Sequence, residues 1–301
     1  MPPDPVMLVF GGGGQLGRAL ALCGRPGRLL VATHDRAATD ITDATAVTWA
    51  LAKLRPAVVV NAAAYTAVDQ AERDAARCFA VNRDGAGTVA EACARAAIPL
   101  IQLSTDYVFD GTAGSAYREH DRPAPINVYG ASKAAGEALV RAGTRRHVIL
   151  RTAWVFAPWG RNFARTVLRL ADAGDPLRIV ADQRGCPTPA VELARAIATI
   201  GRRIVLGEGA WGTFHLAGQP PASWYDLAHA IVAARGGPTT EVRPITTAEY
   251  PTPARRPPHS VLDCGRITAA YGITPPDWRA SLPELVAAAA PAAVPARISA
   301  S

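Results

Sequence analysis

The chain has 301 residues, 49% of them hydrophobic, and a formal net charge of +7, enough apolar material for one large domain or a main domain with a smaller lobe. No apolar run reaches the roughly 18 residues of a bilayer-spanning helix, and five scattered cysteines (Cys23, Cys78, Cys93, Cys186, Cys264) without a C-x-x-C pair argue for reduced thiols in a cytoplasm and against zinc. The positive charge permits a nucleic-acid partner, but the arginines are dispersed, adjacent only at 145–146, 202–203 and 255–256, and no basic run alternates with aromatics. The charge therefore reads as steering toward an anionic small molecule.

In chain order, the opening Met1-Pro-Pro-Asp-Pro5 has neither the basic nor the apolar region of a secretory signal. An apolar strand at 6–10 follows, then the run Gly11-Gly-Gly-Gly14-Gln-Leu-Gly17 and an amphipathic helix at 15–23. The glycines satisfy G-x-x-G-x-x-G through Gly11, Gly14 and Gly17, and G-x-G-x-x-G through Gly12, Gly14 and Gly17. Between a strand and a helix, such a turn brings backbone close to a pyrophosphate, and the helix start supplies free N–H groups. Gly11, Gly14, Gln15 and Leu16 are the candidates for that contact.

Further strands are expected at 29–33, 57–61, 100–104 and 148–151. Helices are expected at 44–54, at 71–97 with a break, and at 128–142. Asp43 suits an N-cap for the 44–54 helix, and Pro56 ends it. This alternation predicts an α/β fold, a Rossmann-type doubly wound parallel sheet. Ligands of such sheets sit at the carboxyl ends of the strands. Gly11, Asp40, Asn61 through Thr66, and Ser104 through Tyr107 all fall at or just after such ends.

After about Trp154 the pattern changes. Helices are expected at 162–173, 189–202, 223–234 and 281–290, separated by short apolar pieces at 178–180, 214–216 and 242–245 and by Pro-rich loops such as 251–258. Four of the six tryptophans lie beyond Trp154, which suggests a pocket or interface there. We divide the chain into a dinucleotide-binding part (1–154), a smaller, mostly helical substrate lobe interleaved with the last sheet strands (155–290), and a frayed Ala/Pro-rich tail (291–301).

Of 32 basic residues only two are lysines, Lys53 and Lys133. Lys133 closes the run Tyr129-Gly-Ala-Ser-Lys133. A Lys in a chain that otherwise uses Arg marks a place for a compact ammonium rather than a planar fork. Four residues apart on a helix, Tyr129 and Lys133 share a face. A nearby cation lowers a phenol's pKa, so Lys133 is expected to make Tyr129 a proton donor or acceptor near neutral pH.

The glycine turn, Ser104-Thr-Asp-Tyr-Val-Phe109, Tyr129-x-x-x-Lys133 and Arg151-Thr-Ala-Trp154, in this order, resemble the extended short-chain dehydrogenase/reductases that act on nucleotide sugars. Val60-Asn-Ala-Ala-Ala-Tyr-Thr-Ala-Val-Asp69, Asn127-Val-Tyr-Gly130, Asp182-Gln-Arg-Gly-Cys-Pro-Thr188 and Tyr250-Pro-Thr-Pro-Ala-Arg-Arg-Pro257 are similar, more narrowly, to the dTDP-4-dehydrorhamnose reductase family. The resemblance implies transfer of hydride from NADPH or NADH to the keto carbon at sugar position 4 of a dTDP-linked 4-keto-6-deoxysugar. It implies catalytic roles for Tyr129, Lys133 and Thr105, Tyr129 giving the proton and Lys133 also holding the nicotinamide ribose. Asp40 and Ile41 would lie against the adenosine, and Ala64, Tyr65 and Thr66 along the middle of the cofactor. Thr105, Asp106 and Trp154 would meet the substrate, with Asn162, Arg184 and the pair Arg255-Arg256 toward its diphosphate.

Neighbouring readings stand beside this one, two of them differing at particular residues. Sugar-nucleotide 4,6-dehydratases follow the Thr-Asp pair with Glu, where this chain has Tyr107. A reductase of another 4-keto nucleotide sugar is compatible with the same motifs. A non-enzymatic regulatory subunit of this fold, like the regulatory partner of methionine adenosyltransferase, need not keep Thr105, Tyr129 and Lys133 together. Some members of the reductase family bind magnesium through glutamates at a dimer interface. The corresponding position here is Ala19, so no metal site is expected, and a homodimer stays open without that bridge. For the cofactor's ribose, Thr33-His-Asp-Arg36 offers Asp35 to a 2′-hydroxyl and Arg36 with His34 to a 2′-phosphate; the basic residue on each side of Asp35 favours use of both cofactors with a modest preference for NADPH.

Overall fold

The computed structural model describes residues 4–24, 28–174, 176–236 and 240–289. In the first half, β1 (Val6–Phe10), α1 (Gln15–Cys23), β2 (Leu30–His34), α2 (Ala44–Leu54) and β3 (Val58–Asn61) succeed one another, followed by α3 (Val68–Ala71), α4 (Ala75–Phe79), a π-helical turn (Ala80–Gly85) and α5 (Ala86–Arg95). Next come β4 (Leu100–Thr105), α6 (Val128–Gly143) and β5 (His147–Thr152). The second half holds β6 (Val155–Phe156), α7 (Phe163–Ala173), β7 (Leu177–Val180), β8 (Arg184–Gly185), β9 (Thr188–Pro189), α8 (Ala190–Val205), β10 (Gly212–His215), β11 (Ala222–Ser223), α9 (Trp224–Arg235), β12 (Val242–Ile245), α10 (Gly265–Tyr271) and α11 (Leu282–Ala289).

Six strands form one parallel sheet in the order β10-β5-β4-β3-β1-β2. Side chains alternate between its faces. Met7, Val9, Val58, Val60, Ile101 and Leu103 pack with Ala19 and Leu20 of α1 and Leu193 and Ile197 of α8. Leu8, Phe10, Val59 and Ile149 pack on the other face with Val47 and Leu51 of α2, Val89 of α5 and Val140 of α6. The strand order reverses between β1 and β3, since β2 lies on one side of β1 and β3 on the other. A crevice opens at such a reversal, at the carboxyl ends of the strands.

Local signals explain most boundaries. The Asp43 side chain accepts from the backbone N–H of Thr45 and Ala46, capping α2, and Arg55 ends that helix in the left-handed region at φ 43°. Ser223 and Asp226 form a capping box on α9. The expected helix over 71–97 is two α segments, α4 and α5, joined by a π turn, the kind of widening that gathers at functional sites; α3 ends at Ala71, where that helix is expected to begin. The piece expected at 214–216 is the last strand of the main sheet, paired with β5, so the chain returns to the first layer after α8. The seven-residue α10 is too short to show as a periodic pattern. A separate apolar cluster unites Phe156 of β6, Val167 and Leu168 of α7, Leu177 of β7, Leu227 and Ile231 of α9, Trp278, and Leu282 and Leu285 of α11. The tail at 291–301 lies outside the described residues.

Candidate active site

The glycine turn follows β1 directly. Gly11 and Gly12 donate their backbone N–H to the carbonyl of His34, at 2.9 and 2.8 Å. Gly11 has φ +88°, and a Cβ there would stand 2.5 Å from the backbone nitrogen of Ala63; at Gly17 it would stand 2.2 Å from the Gly11 carbonyl oxygen. Any larger residue would push strand, turn and helix apart. The N-cap of α1, Gly14, offers no side chain, and the first turn carries no acidic residue. Its N–H groups face a cleft of about 800 Å³, lined by Gly11, Gly14, Gln15, Leu16, Asp40, Ile41, Ala64, Tyr65, Thr66, Tyr129 and Lys133 among others. A cradle of bare backbone backed by a helix start fits the diphosphate of a dinucleotide.

The opposite wall is tied together by one buried amide. Asn82, on the π turn, accepts from the Tyr65 N–H at 2.8 Å and donates to the Tyr65 carbonyl at 3.0 Å and to Ser132 Oγ at 2.9 Å. Ser132 in turn donates to the Tyr129 carbonyl at 2.7 Å. The loop at 64–66 is thereby fixed relative to the helix that carries Tyr129.

That helix, α6, starts at Asn127, whose side chain accepts from the Gly130 N–H at 2.7 Å and donates to the Arg255 carbonyl at 2.8 Å. Thr105 is among the groups that act on the Tyr129 phenol. Thr105 Oγ1 donates to Asp106 Oδ1 at 3.0 Å, and Ser260 Oγ donates to Asp106 Oδ2 at 2.6 Å. Burial pushes the Asp106 carboxyl up to about 7 against the lowering effect of these two hydrogen bonds. Thr105 and Asp106 are both buried and lie outside the set of cleft-lining residues. Each Asp106 oxygen already accepts a hydrogen bond.

The expected electrostatic effect of Lys133 on Tyr129 is not what the structure gives. Burial raises the Tyr129 phenol above its ordinary range, Thr105 lowers it, and Lys133 is not among the groups that act on it. The Lys133 ammonium instead donates to the Leu103 carbonyl at 2.7 Å, and burial brings it down to about 8 while Glu137 pulls it up. Tyr129 is thus kept protonated.

Glu137, four residues beyond Lys133, pairs with Arg151 of β5 through Nε–Oε1 at 2.8 Å and Nη2–Oε2 at 2.7 Å. Ser104 Oγ donates to the same Glu137 Oε1 at 2.6 Å. This network beneath the site was not expected, although Tyr129, Lys133 and Glu137 recur at helical i, i+4 spacing.

Trp154 also lies outside the lined cleft. At φ 47°, it stacks on Trp224 with ring centroids 3.5 Å apart and 6° between planes. A Cβ at Gly185 would come within 2.4 Å of the Trp154 ring. Asn162, a candidate for the substrate diphosphate, is turned to Gln15 instead, donating to its Oε1 at 2.8 Å. Arg256 pairs with Asp69 through both nitrogens of its fork, and Arg184 and Arg255 are exposed. At the other end of the cleft, Arg36 Nε lies 3.0 Å from Asp40 Oδ2, Asp35 Oδ1 accepts from the Ala38 N–H at 2.9 Å, and His34 Nδ1 meets Thr39 Oγ1 at 2.9 Å. His34 is thus engaged within its own turn. Ala19 is buried against the core. Among the described residues no group of three or more His, Cys, Asp or Glu could hold a metal ion, and no helix is long and apolar enough to cross a membrane.

Comparison with known proteins agrees with this geometry. The family model described as the RmlD substrate binding domain matches residues 6–290. The chain is 43% identical over 285 residues to a dTDP-4-dehydrorhamnose reductase of Sinorhizobium fredii, covering 93% of this chain and 96% of the relative. It is 44% identical over 283 residues to one of Aggregatibacter actinomycetemcomitans, covering 92% and 96%. The crystal structure of the Bacillus anthracis dTDP-4-dehydrorhamnose reductase in complex with NADP superimposes with a TM-score of 0.88 at 32% identity, covering 94% of this chain and 98% of that one. The glycine turn and the Tyr129–Lys133 helix thus sit in a fold shared over nearly its whole length with these relatives, and the chain belongs to the dTDP-4-dehydrorhamnose reductase family.

Proposed function

We propose that the chain reduces the 4-keto group of dTDP-4-dehydro-L-rhamnose to the hydroxyl of dTDP-L-rhamnose, using a reduced nicotinamide dinucleotide. The observation that carries this reading is that the glycine turn, Tyr129 and Lys133 line one cleft. Gly11, Gly14, Gln15 and Leu16 are assigned to the cofactor diphosphate, Asp40 and Ile41 to the adenosine, and Ala64, Tyr65 and Thr66 to the middle of the cofactor. When bound, the reduced nicotinamide supplies the hydride that goes to sugar carbon 4.

Tyr129 donates its proton to the oxygen on that carbon, which becomes the new hydroxyl. Burial keeps the phenol protonated until that oxygen develops charge. Thr105, which acts on the Tyr129 phenol, aligns it and shares the developing oxyanion. Lys133, anchored at the Leu103 carbonyl, offers its remaining N–H donors to the nicotinamide ribose. Thr105, Asp106 and Trp154 are assigned to the substrate side. Asp106 would support it from behind Thr105, and the Trp154–Trp224 stack would wall it.

Arg36 sits at the tip of the turn after β2, its side chain mostly exposed beside Asp40. We assign it to a cofactor 2′-phosphate when one is present, which supports use of both cofactors with a modest preference for NADPH. The five unpaired thiols support a cytoplasmic location. The test is oxidation of NADPH and NADH by the purified protein with dTDP-, GDP- and UDP-linked 4-keto-6-deoxysugars. Consumption with the dTDP-linked sugar and recovery of dTDP-L-rhamnose is expected. Turnover confined to another sugar nucleotide would move the assignment to a different reductase, and cofactor binding without turnover of any sugar would favour a regulatory subunit.

A further inference from the structure

The segment between β6 and α7 crosses to the glycine turn and fastens there. Trp159 Nε1 donates to the Gln15 carbonyl at 3.0 Å, and Asn162 Nδ2 donates to Gln15 Oε1 at 2.8 Å. The Arg18 guanidinium lies over the Trp159 ring, 5.3 Å from its centroid. Between these anchors, Gly160 turns at φ +72°, and a Cβ there would stand 3.3 Å from Gln15 Cγ. Asn162 also binds the carbonyls of Ala157 and Trp159, at 2.9 and 3.1 Å, which closes the segment on itself. It is a pinned strap.

The strap brings Gly160 and Arg161 to the wall of the cofactor cleft, in company with Gly13, Gly14 and Gln15. Arg161 is exposed, and among the described residues it enters no salt bridge. Its flanking residues are held against Gln15, the first residue of α1. An unpaired guanidinium is therefore held beside the backbone cradle that suits a diphosphate, and its planar fork matches two phosphate oxygens.

We propose that Arg161 is a ligand of the cofactor's diphosphate, so that the second half of the chain completes a site whose cradle is built by the first. This rests on the assignment of a nicotinamide dinucleotide to the cleft. Gln15 then serves as the post to which the strap is tied. Arg161 adds the one full positive charge that the glycine turn, made only of backbone dipoles, does not contain.

The test measures dissociation constants of NADPH, NADH and dTDP by calorimetry for the wild type, Arg161→Ala and Arg161→Lys, at low and high salt. Arg161 is exposed, so both variants should fold. Arg161→Ala is expected to weaken NADPH and NADH by the same factor, roughly tenfold or more at low salt and less at high salt, with dTDP unchanged. Arg161→Lys should fall between, since a point charge replaces a fork. Unchanged affinity for both cofactors, a loss confined to NADPH, or a loss confined to dTDP would each overturn the inference, the last two by assigning Arg161 to the 2′-phosphate or to the substrate. A wild type that binds neither cofactor would overturn both this inference and the assignment beneath it.

Discussion

Glu137 and Arg151 form a two-pronged ion pair that is almost completely out of water, with side chains 1% and 2% exposed. It joins α6 to β5 directly under Lys133. Removing one partner of such a pair leaves a buried charge uncompensated, which costs about 3–5 kcal/mol. Glu137→Gln is expected to lower the unfolding free energy by about that amount, and denaturant titration measures it. Glu137→Leu combined with Arg151→Met should recover much of the loss, because neither charge of the pair then remains buried. A Glu137→Gln variant as stable as the wild type would show that water reaches Arg151.

Tyr129→Phe removes one oxygen from a ring packed edge to face with Tyr107, at 6.0 Å between centroids. The ring contact survives the change. Cofactor affinity should hold within about threefold, while kcat should fall roughly 10²–10⁴-fold. Retention of a third of wild-type kcat would remove Tyr129 from the role of proton donor.

Lys133→Arg tests shape rather than charge. The ammonium is buried and donates to the Leu103 carbonyl, a point that a guanidinium cannot occupy without displacing its surroundings. Severe loss of both kcat and cofactor affinity is expected. Since Lys133 titrates at about 8 without ligands, cofactor affinity in the wild type should weaken as pH rises through that value. A flat affinity from pH 7 to 9 would show that the charge of Lys133 is not used.

Asp106 gives a stability signature in the opposite pH range. An unfolded Asp titrates near 4, and burial raises this one to about 7 in the fold. Between those values the folded state binds a proton that the unfolded state does not, so stability falls as pH rises from about 4 to 7 and is level above. Asp106→Asn should flatten that slope and gain on the wild type at neutral pH, by an amount on the order of a few kcal/mol. Parallel stability curves for the two proteins over this range would contradict a raised Asp106.

Arg36→Ala bears on cofactor choice. The salt bridge to Asp40 is exposed at the arginine end, so its loss should cost the fold under about 1 kcal/mol. The ratio of kcat/KM for NADPH to that for NADH should drop several-fold. An unchanged ratio would show that Arg36 does not read a 2′-phosphate.

Much of the cofactor side was legible without coordinates, because its signals are local. Strand, glycine turn and helix are contiguous, and their chemistry follows from φ at Gly11 and the missing Cβ at Gly17. Asp43 and Pro56 bound α2 by rules that concern only their near neighbours. The strap could not be read the same way: nothing at 157–162 announces that Asn162 will meet Gln15, 147 residues away in sequence. The partners of Asn162 and Arg256 could not be read for the same reason, since a polar side chain's partner is set by distant parts of the chain.

The sequence by itself determined the order of strands and helices, the glycine turn, and the sharing of one helix face by Tyr129 and Lys133, because periodicity and turn chemistry act over a few residues. Only the tertiary structure decided what those groups experience. Lys53 and Lys133 are alike as letters, yet Lys53 lies on the surface with its ammonium over Trp49, 4.5 Å from the ring centroid, whereas Lys133 is buried at the Leu103 carbonyl. Burial, not spacing, sets the protonation of Tyr129, Lys133 and Asp106. Desolvation depends on every element packed around a group, and that information is spread along the whole chain.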